Sequence, residues 1–240
     1  IATSIAQFGS LAHLRAAGKM EEFVERIRAS ITNIIFLIIP IGVGMYIFRH
    51  QLVQVFLQRG AFDQHAAFAT TQTLGILLPG ILFGSLVFLL TRSFFALKKT
   101  VLPVSIGICS VLIAATAGFL LTQVWHWGTY GLAAASALAM TVNGVLLQIF
   151  LGRHLAVGLL DWKEVGRVIL GSASLGGVLY VISKQFVLIP STTAWLICGL
   201  LIAFLAGSGI YICTVLALGS KTAKNLLKKI TRIIWGQEKQ

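Results

Sequence analysis

Long stretches without charged residues dominate the chain and predict helices that cross a membrane. About 20 helical residues span the hydrocarbon core of a bilayer, because an α-helix rises 1.5 Å per residue. In hydrocarbon every backbone N–H and C=O must be paired within its own element, so each stretch is predicted to be an α-helix. The apolar stretches cover residues 30–48, 66–91, 100–152, 168–189 and 194–218. The third is long enough to cross twice and is divided by a turn at residues 125–131, which gives six apolar blocks.

The composition excludes the common classes of soluble protein. Of the 240 residues, 57% are hydrophobic and only 11% are charged, and the mean hydropathy is +0.91. Soluble domains carry about 25% charged residues, so a soluble enzyme, a disulfide-rich secreted scaffold and a disordered tail are all disfavoured. The predicted fold class is an all-α polytopic membrane protein with six transmembrane helices. The three cysteines lie inside apolar blocks and are predicted to be packed thiols.

The distribution of basic residues predicts how the helices are oriented. Of the 19 Lys and Arg residues, 16 fall on one side of the predicted bundle, and only Arg49, Arg59 and Lys184 fall on the other. The positive-inside rule assigns the richer side to the cytoplasm, so both ends of the chain are predicted to be cytoplasmic. This arrangement accounts for the net charge of +12 without a nucleic-acid partner.

The blocks and charges together predict five parts. They are the end of a preceding helix with a cytoplasmic amphipathic linker (1–29), four transmembrane helices (30–152), a cytoplasmic loop (153–167), two further transmembrane helices (168–218) and a basic amphipathic tail (219–240). In the tail, Leu226, Ile230 and Ile233 repeat at helical spacing among lysines. A basic amphipathic helix next to a membrane typically lies on anionic lipid, which is therefore the predicted partner of the tail.

No group of residues in the sequence suggests catalysis. The five histidines lie in or beside loops, and the seven acidic residues lie outside the deep parts of the spans. Neither a metal site nor a cofactor motif is recognisable, so an enzyme is disfavoured and no cofactor is expected.

Polar residues inside the spans are the candidates for binding a substrate. Those singled out are Arg92, Asn143, Gln72 and Asn33. The planar guanidinium of Arg92 suits a phosphate oxygen, although an arginine at the end of a span also commonly extends to the interface. For the other three the alternative is a structural hydrogen bond to a neighbouring helix.

Two segments resemble motifs of a known membrane family. The first contains Arg59, Gly60, Ala61, Phe62 and Asp63 between the first two blocks. The second runs from Arg92 to Val104 and contains Phe95, Ala96, Leu97, Thr100 and Pro103. In their order and spacing these segments resemble the MurJ/MviN family of lipid II flippases, and the resemblance extends over essentially the whole chain.

The resemblance implies a fold, a substrate and a location. The six helices would be the last six of fourteen, and the final two would help to form a groove for the polyprenyl tail of the substrate. The substrate would be lipid II, a peptidoglycan precursor linked to undecaprenyl pyrophosphate, moved by alternating access across the bacterial cytoplasmic membrane. The family's cationic cavity draws mainly on arginines of earlier helices. Because the chain begins with Ile1 rather than Met, it is expected to be part of a longer protein whose N-terminal half is a further partner.

Two other functions remain open from the sequence. One is a related exporter of other lipid-linked oligosaccharides or of drugs, although drug export would be expected to use carboxylates within the membrane. The other is a membrane scaffold that does not transport and that recruits cell-wall synthesis proteins through its basic tail.

Overall fold

The structure is a computed structural model. It describes the backbone of residues 13–15, 17–57, 64–188 and 193–235, and within these ranges the side chains other than those of 185–188, 193–194 and 229–235. This part of the chain is helical, with no β-strand.

Eight helices follow one another along the described chain. They are α1 (Met20–Ile47), α2 (Arg49–Phe56), α3 (Gln64–Ala96), α4 (Val101–Phe119, continued by a π-helical turn Leu120–Val124), α5 (Gly128–Leu155), α6 (Trp162–Leu188), α7 (Thr193–Ala217) and α8 (Lys221–Trp235). Six of them, all but α2 and α8, are long and apolar enough to cross a membrane. The predicted all-α fold with six spans is therefore confirmed, whereas the side on which the ends lie stays a prediction.

The first membrane helix begins earlier than the apolar block indicated. The block starts at residue 30, but α1 begins at Met20, so the segment predicted as an amphipathic linker is its first part. Phe23, Ile27 and Ile31 lie four residues apart and are fully buried. One buried face thus continues from the amphipathic segment into the apolar block, and no helix-breaking residue separates the two.

The chain divides into two compact units. The first comprises residues 1–34 and 56–160, and the second comprises residues 35–55 and 161–240. Within the first unit α5 packs against both α3 and α4. A Cβ placed on Gly80 of α3 would lie 2.6 Å from the Cα of Ala137 on α5, and one placed on Gly144 would lie 3.1 Å from the carbonyl oxygen of Phe83. The two backbones approach closely because these positions carry no side chain.

The second unit uses glycine in the same way between α6 and α7. A Cβ on Gly207 of α7 would lie 2.7 Å from Cδ1 of Leu175 on α6. A Cβ on Gly171 of α6 would collide with Val215 of α7. Glycine in these helices therefore sets the distance between neighbours, as is common where helices associate in lipid.

The α3–α5 contact predicts a large effect of a single methyl group. Gly80→Ala should lower the free energy of unfolding by about 1–3 kcal/mol, because the new Cβ meets the backbone of Ala137 and neither helix can yield locally. The measurement is reversible unfolding of the detergent-solubilised protein. Gly107→Ala on α4 is the matched control, since a Cβ there meets nothing within 4 Å. Equal behaviour of the two variants would contradict the packing described.

Candidate functional site

The second sequence motif forms a turn between two membrane helices. Lys98 has a positive φ of 58°, the N–H of Lys98 donates to the carbonyl of Phe95 (2.9 Å), and that of Lys99 donates to the carbonyl of Phe94 (3.0 Å). This pair of hydrogen bonds is the Schellman ending of a helix, which satisfies the last carbonyl groups of α3.

The remaining motif residues surround this turn. Ala96 and Leu97 are buried, Phe95 is exposed, Thr100 precedes α4, and Pro103 is buried in the first turn of α4. A proline is tolerated there because its missing N–H would have no partner within the helix. The described motif residues therefore shape the connection from α3 to α4. The other motif, Arg59, Gly60, Ala61, Phe62 and Asp63, lies outside the described residues.

The four polar candidates do not form one site. Gln72 and Arg92 are both half-buried on α3, but the 20 residues between them correspond to about 30 Å along the helix. Asn33 is half-buried on α1. Arg92 and Gln72 thus lie towards opposite ends of a span.

Asn143 has an unusual environment among these candidates. It precedes Gly144, the α5 residue that lies against the backbone of Phe83 on α3. Its side-chain Oδ1 is buried and has no hydrogen-bond partner within the described part of the chain. An unpaired amide oxygen in an apolar interior is costly, so this position is a candidate for contact with a polar ligand. Arg92 lies about nine residues beyond Phe83 on α3, which corresponds to about 13 Å along the axis.

An apolar cavity of about 180 Å³ lies within the second unit, between α1, α6 and α7. Its lining includes Pro40, Gly44, Leu175, Leu179, Phe204 and Tyr211. Leu37 and Ile41 also line the cavity and are more than 40% exposed, so it opens to the outside of this unit. A dry apolar cavity of about 150 Å³ accommodates a hydrocarbon the size of benzene, so this one has room for about one isoprene unit.

Gly44 determines how much of the cavity is empty. A Cβ at this position would lie 3.4 Å from Cζ of Phe204 and 3.6 Å from Cδ1 of Leu179. These are contact distances, so a longer side chain would extend into the cavity that the three helices enclose. The absence of a side chain on α1 therefore keeps the cavity open.

A hydrogen bond next to the cavity compensates for a proline inside α1. Pro40 has no N–H, so the carbonyl of Phe36, four residues earlier, lacks its helical donor. The hydroxyl of Tyr211 on α7 donates to this carbonyl at 2.8 Å. An unpaired buried carbonyl costs about 1–3 kcal/mol, and the hydroxyl of Tyr211 removes that cost.

Packing on two sides holds Tyr211 in place. Its ring lies 5.2 Å from the ring of Phe36, measured between centroids, at an interplanar angle of 53°. On the α6 side, a Cβ on Gly171 would lie 3.2 Å from the ring. Tyr211 is only 4% exposed, so its position fixes the hydroxyl against α1.

Sequence reasoning did not identify the roles of Arg28 and Glu164. Arg28 contributed only to the count of positive charges, yet its Nε and Nη2 donate to the carbonyl of Gly158 at 3.1 and 2.7 Å. Glu164 is one of the seven acidic residues outside the deep parts of the spans. It is nevertheless only 3% exposed and accepts hydrogen bonds from Ser220 and Lys221. A signal for Glu164 was its place between two cations, Lys163 and Arg167, at the start of an apolar block.

One minor prediction is wrong. Cys109, Cys198 and Cys213 are exposed on the surfaces of their helices rather than packed. In a membrane protein an apolar residue can face lipid as readily as the interior, so an apolar block does not indicate which face is buried.

Comparison with known proteins identifies similar sequences and a similar fold. A sequence model of the family described as "Lipid II flippase MurJ" matches residues 1–215. A protein of Rhizobium tropici named "Probable lipid II flippase MurJ" is 26% identical over 191 residues, which make up 78% of this chain and 35% of that protein. A protein of the same name from Haemophilus influenzae is 30% identical over 116 residues, covering 48% of this chain and 22% of that protein.

A solved structure, "Lipid II flippase MurJ, inward closed conformation", matches with a TM-score of 0.67 and 19% identity. The match covers 93% of this chain and 43% of that one. The chain thus has the fold of part of this structure, and it spans about a third or less of the length of the curated relatives.

The bond between Tyr211 and Phe36 predicts an energetic coupling to Pro40. Tyr211→Phe should lower the free energy of unfolding by about 1–2 kcal/mol, because the buried carbonyl of Phe36 loses its donor. Pro40→Ala supplies a main-chain N–H for the same carbonyl, so in that background Tyr211→Phe should cost less than about 0.5 kcal/mol. Unfolding of the four proteins of this double-mutant cycle measures the coupling.

Tyr180→Phe on the exposed surface of α6 is the control and should have little effect. An equal cost of Tyr211→Phe with and without Pro40 would show that the hydroxyl does not replace the missing helical donor.

Proposed function

Because the chain belongs to the lipid II flippase MurJ family, we propose that it forms part of a flippase that moves a lipid-linked peptidoglycan precursor across the bacterial cytoplasmic membrane. The observation that carries this proposal is the family match over residues 1–215, which extends almost to the end of α7 at Ala217. Since the chain spans about a third of its relatives, its six membrane helices are proposed to be the last six of fourteen. Preceding helices of the same protein would complete the transporter.

The proposed reaction is transport without covalent chemistry, so the protein is not an enzyme in this proposal. Each charge of the substrate's pyrophosphate costs at least about 2.5–3.5 kcal/mol at the bilayer centre. Alternating access lowers this barrier, because the head group crosses in a polar cavity that opens to one side at a time. Arginines of the preceding helices are proposed to line most of that cavity. Within this chain, Arg92 and Asn143 are the proposed polar contacts.

The cavity in the second unit is proposed to hold part of the polyprenyl tail. Its lining is apolar, it opens beside the exposed Leu37 and Ile41, and its volume matches about one isoprene unit. A hydrocarbon chain gains no hydrophobic energy on leaving lipid, so the contribution of such a cavity is contact and orientation. It would fix the tail while the head group crosses.

Three further partners complete the proposal. Anionic lipids would contact the basic tail, the preceding helices would pack with this chain, and cell-wall synthesis proteins would use the translocated precursor. The proposed location is the bacterial inner membrane, with both basic ends of the chain in the cytoplasm as the positive-inside rule predicts.

Filling the cavity should impair transport. Gly44→Leu places a side chain against Phe204 and Leu179 and should reduce translocation of a fluorescent lipid II analogue by about tenfold, the effect of losing roughly ten atomic contacts of about 0.1–0.2 kcal/mol each. The measurement uses the intact protein in proteoliposomes. Thermal stability should not fall, because leucine fills an existing void.

Gly209→Leu on α7 is the matched control, since a Cβ at Gly209 meets nothing within 4 Å. It should leave translocation unchanged. If Gly44→Leu is stable and translocates normally, the tail does not use this cavity.

The same assay tests the substrate. If the unsubstituted protein moves lipid-linked oligosaccharides of another kind but not lipid II, it is the related exporter considered as an alternative in the sequence analysis.

A substitution of Asn143 tests whether this residue has a role in transport or only in structure. Asn143→Leu replaces the amide, with its unpaired Oδ1, by two methyl groups on the same branched skeleton, so the free energy of unfolding should be unchanged or higher. If the amide contacts the polar head group, translocation should nevertheless fall by about tenfold, the effect of one lost hydrogen bond to a charged group. Full activity of a stabilised Asn143→Leu protein would remove Asn143 from the proposed site.

A further inference from the structure

The chain leaves the last membrane helix and enters α8 through a short, ordered turn. Helix α7 ends at Ala217 and α8 begins at Lys221, so only three residues connect them. Gly219 has a φ of +75°, and Ser220 donates its N–H to the carbonyl of Val215 at 3.1 Å. This is a Schellman ending, which reverses the chain direction within a few residues. Helix α8 therefore begins at the membrane depth at which α7 ends.

A buried carboxylate holds the start of α8. Glu164, in the first turn of α6, accepts a hydrogen bond from the hydroxyl of Ser220 (2.7 Å) and from the N–H of Lys221 (2.8 Å). Ser220 is fully buried, and its Oγ also accepts the N–H of Ala223 at 3.2 Å, so it is the N-cap of α8. The negative charge of Glu164 thus lies at the positive end of the α8 helix dipole.

Arg167 completes this cluster. It lies one turn after Glu164 on α6 and donates from Nη1 to Oε1 of Glu164 at 2.9 Å. The buried carboxylate thereby has a charged partner as well as the donors of α8, which offsets the cost of removing it from water. Arg167 thus supports the carboxylate that accepts hydrogen bonds from Ser220 and Lys221, so the start of α8 is held by Glu164 as well as by its connection to α7.

The sequence of α8 separates basic and apolar positions around the helix. Thr222 and Ala223 are buried, whereas Lys221 and Lys224 are exposed. At 100° per residue, the positions of Leu226, Ile230 and Ile233 fall on the same side as Thr222 and Ala223. The lysine positions 221, 224 and 228 fall on the opposite side. The buried first turn therefore sets the rotation of the whole helix.

We propose that α8 is a membrane-surface helix that binds anionic phospholipid head groups through Lys221 and Lys224, and that Glu164 is the residue that positions it. The apolar side would enter the acyl boundary of the leaflet in which α7 ends, and the lysines would lie at the level of the phosphates. Anionic lipid is favoured over a neutral surface because residues 219–240 contain six Lys and Arg against one acidic residue. The inference rests on the proposed function in that anionic lipid is already a proposed partner of the basic tail, and it assigns the contact to Lys221 and Lys224. It does not depend on the transported substrate.

Hydrogen exchange of the α8 amides tests the lipid preference. The intact protein is placed in nanodiscs of phosphatidylcholine alone and in nanodiscs that also contain phosphatidylglycerol. Protection of α8 should be at least about tenfold higher with the anionic lipid, since each lysine near an anionic leaflet contributes about a fivefold gain in binding. The gain should shrink at high salt.

Lys221→Gln with Lys224→Gln should abolish most of this gain. Lys98→Gln with Lys99→Gln is the matched control, because this exposed pair belongs to the α3–α4 turn, and it should leave the gain unchanged. Equal protection in both lipids, or a gain that survives loss of Lys221 and Lys224, would overturn the proposed head-group contact.

Glu164→Gln tests the positioning role. A purely structural role would lower α8 protection by the same factor in both lipids. The proposed role requires the ratio of α8 protection in anionic lipid to that in neutral lipid to fall towards one. A helix that is free to rotate no longer directs its lysines at the head groups. Glu25→Gln, an exposed acid on α1, is the control. An unchanged ratio of α8 protection in Glu164→Gln would contradict the proposed positioning role of Glu164.

Discussion

In a bilayer, no water is available to pair the backbone groups that a helix leaves without a partner, and this constraint explains several of the long-range hydrogen bonds among the described residues. Tyr211 donates to the carbonyl that Pro40 leaves without a donor in α1. Arg28 donates to the carbonyl of Gly158, just beyond the end of α5. Glu164 accepts from the first N–H of α8. Each of these side chains pairs a backbone group where a helix ends or is interrupted. Uninterrupted helix surfaces pack mainly through small residues, although Ser174 of α6 also donates a hydrogen bond to Thr214 of α7 at 3.3 Å.

The sequence motif and the cavity have different roles in the structure. The described residues of the motif from Arg92 to Val104 build a turn, with Lys98 in the left-handed conformation and Pro103 in the first turn of α4. The cavity, in contrast, is formed by residues that belong to no motif, and its open volume depends on the missing side chain of Gly44. Apart from Arg92, which is a proposed contact of the head group, the described motif residues therefore report how the helices are connected rather than which residues meet the substrate.

The sequence predicted the six spans because charge is costly in hydrocarbon, and long charge-free blocks are visible without any knowledge of the fold. It placed the start of α1 ten residues late, because the helix continues with the same buried face through a segment that carries charges on its other faces. The bonds of Glu164 and Arg28 could not be predicted. Their partners lie 56 and 130 residues away in the sequence, and no local pattern indicates which turns come together. The cavity could not be predicted from the sequence either, because a glycine in an apolar block is compatible with both close packing and empty space.

The bond between Tyr211 and Phe36 also determines how α1 can bend. A helix interrupted by proline can ordinarily flex through a continuous range of angles, because no ladder hydrogen bond opposes the motion there. Here any bend that moves Phe36 away from Tyr211 leaves the carbonyl of Phe36 without a donor in hydrocarbon. Such bends therefore have a higher free energy. The hydrogen bond therefore stabilises the observed bend by about 1–2 kcal/mol relative to bends that break it. One phenolic hydroxyl on α7 thus biases the proline-containing helix α1 towards a single bend.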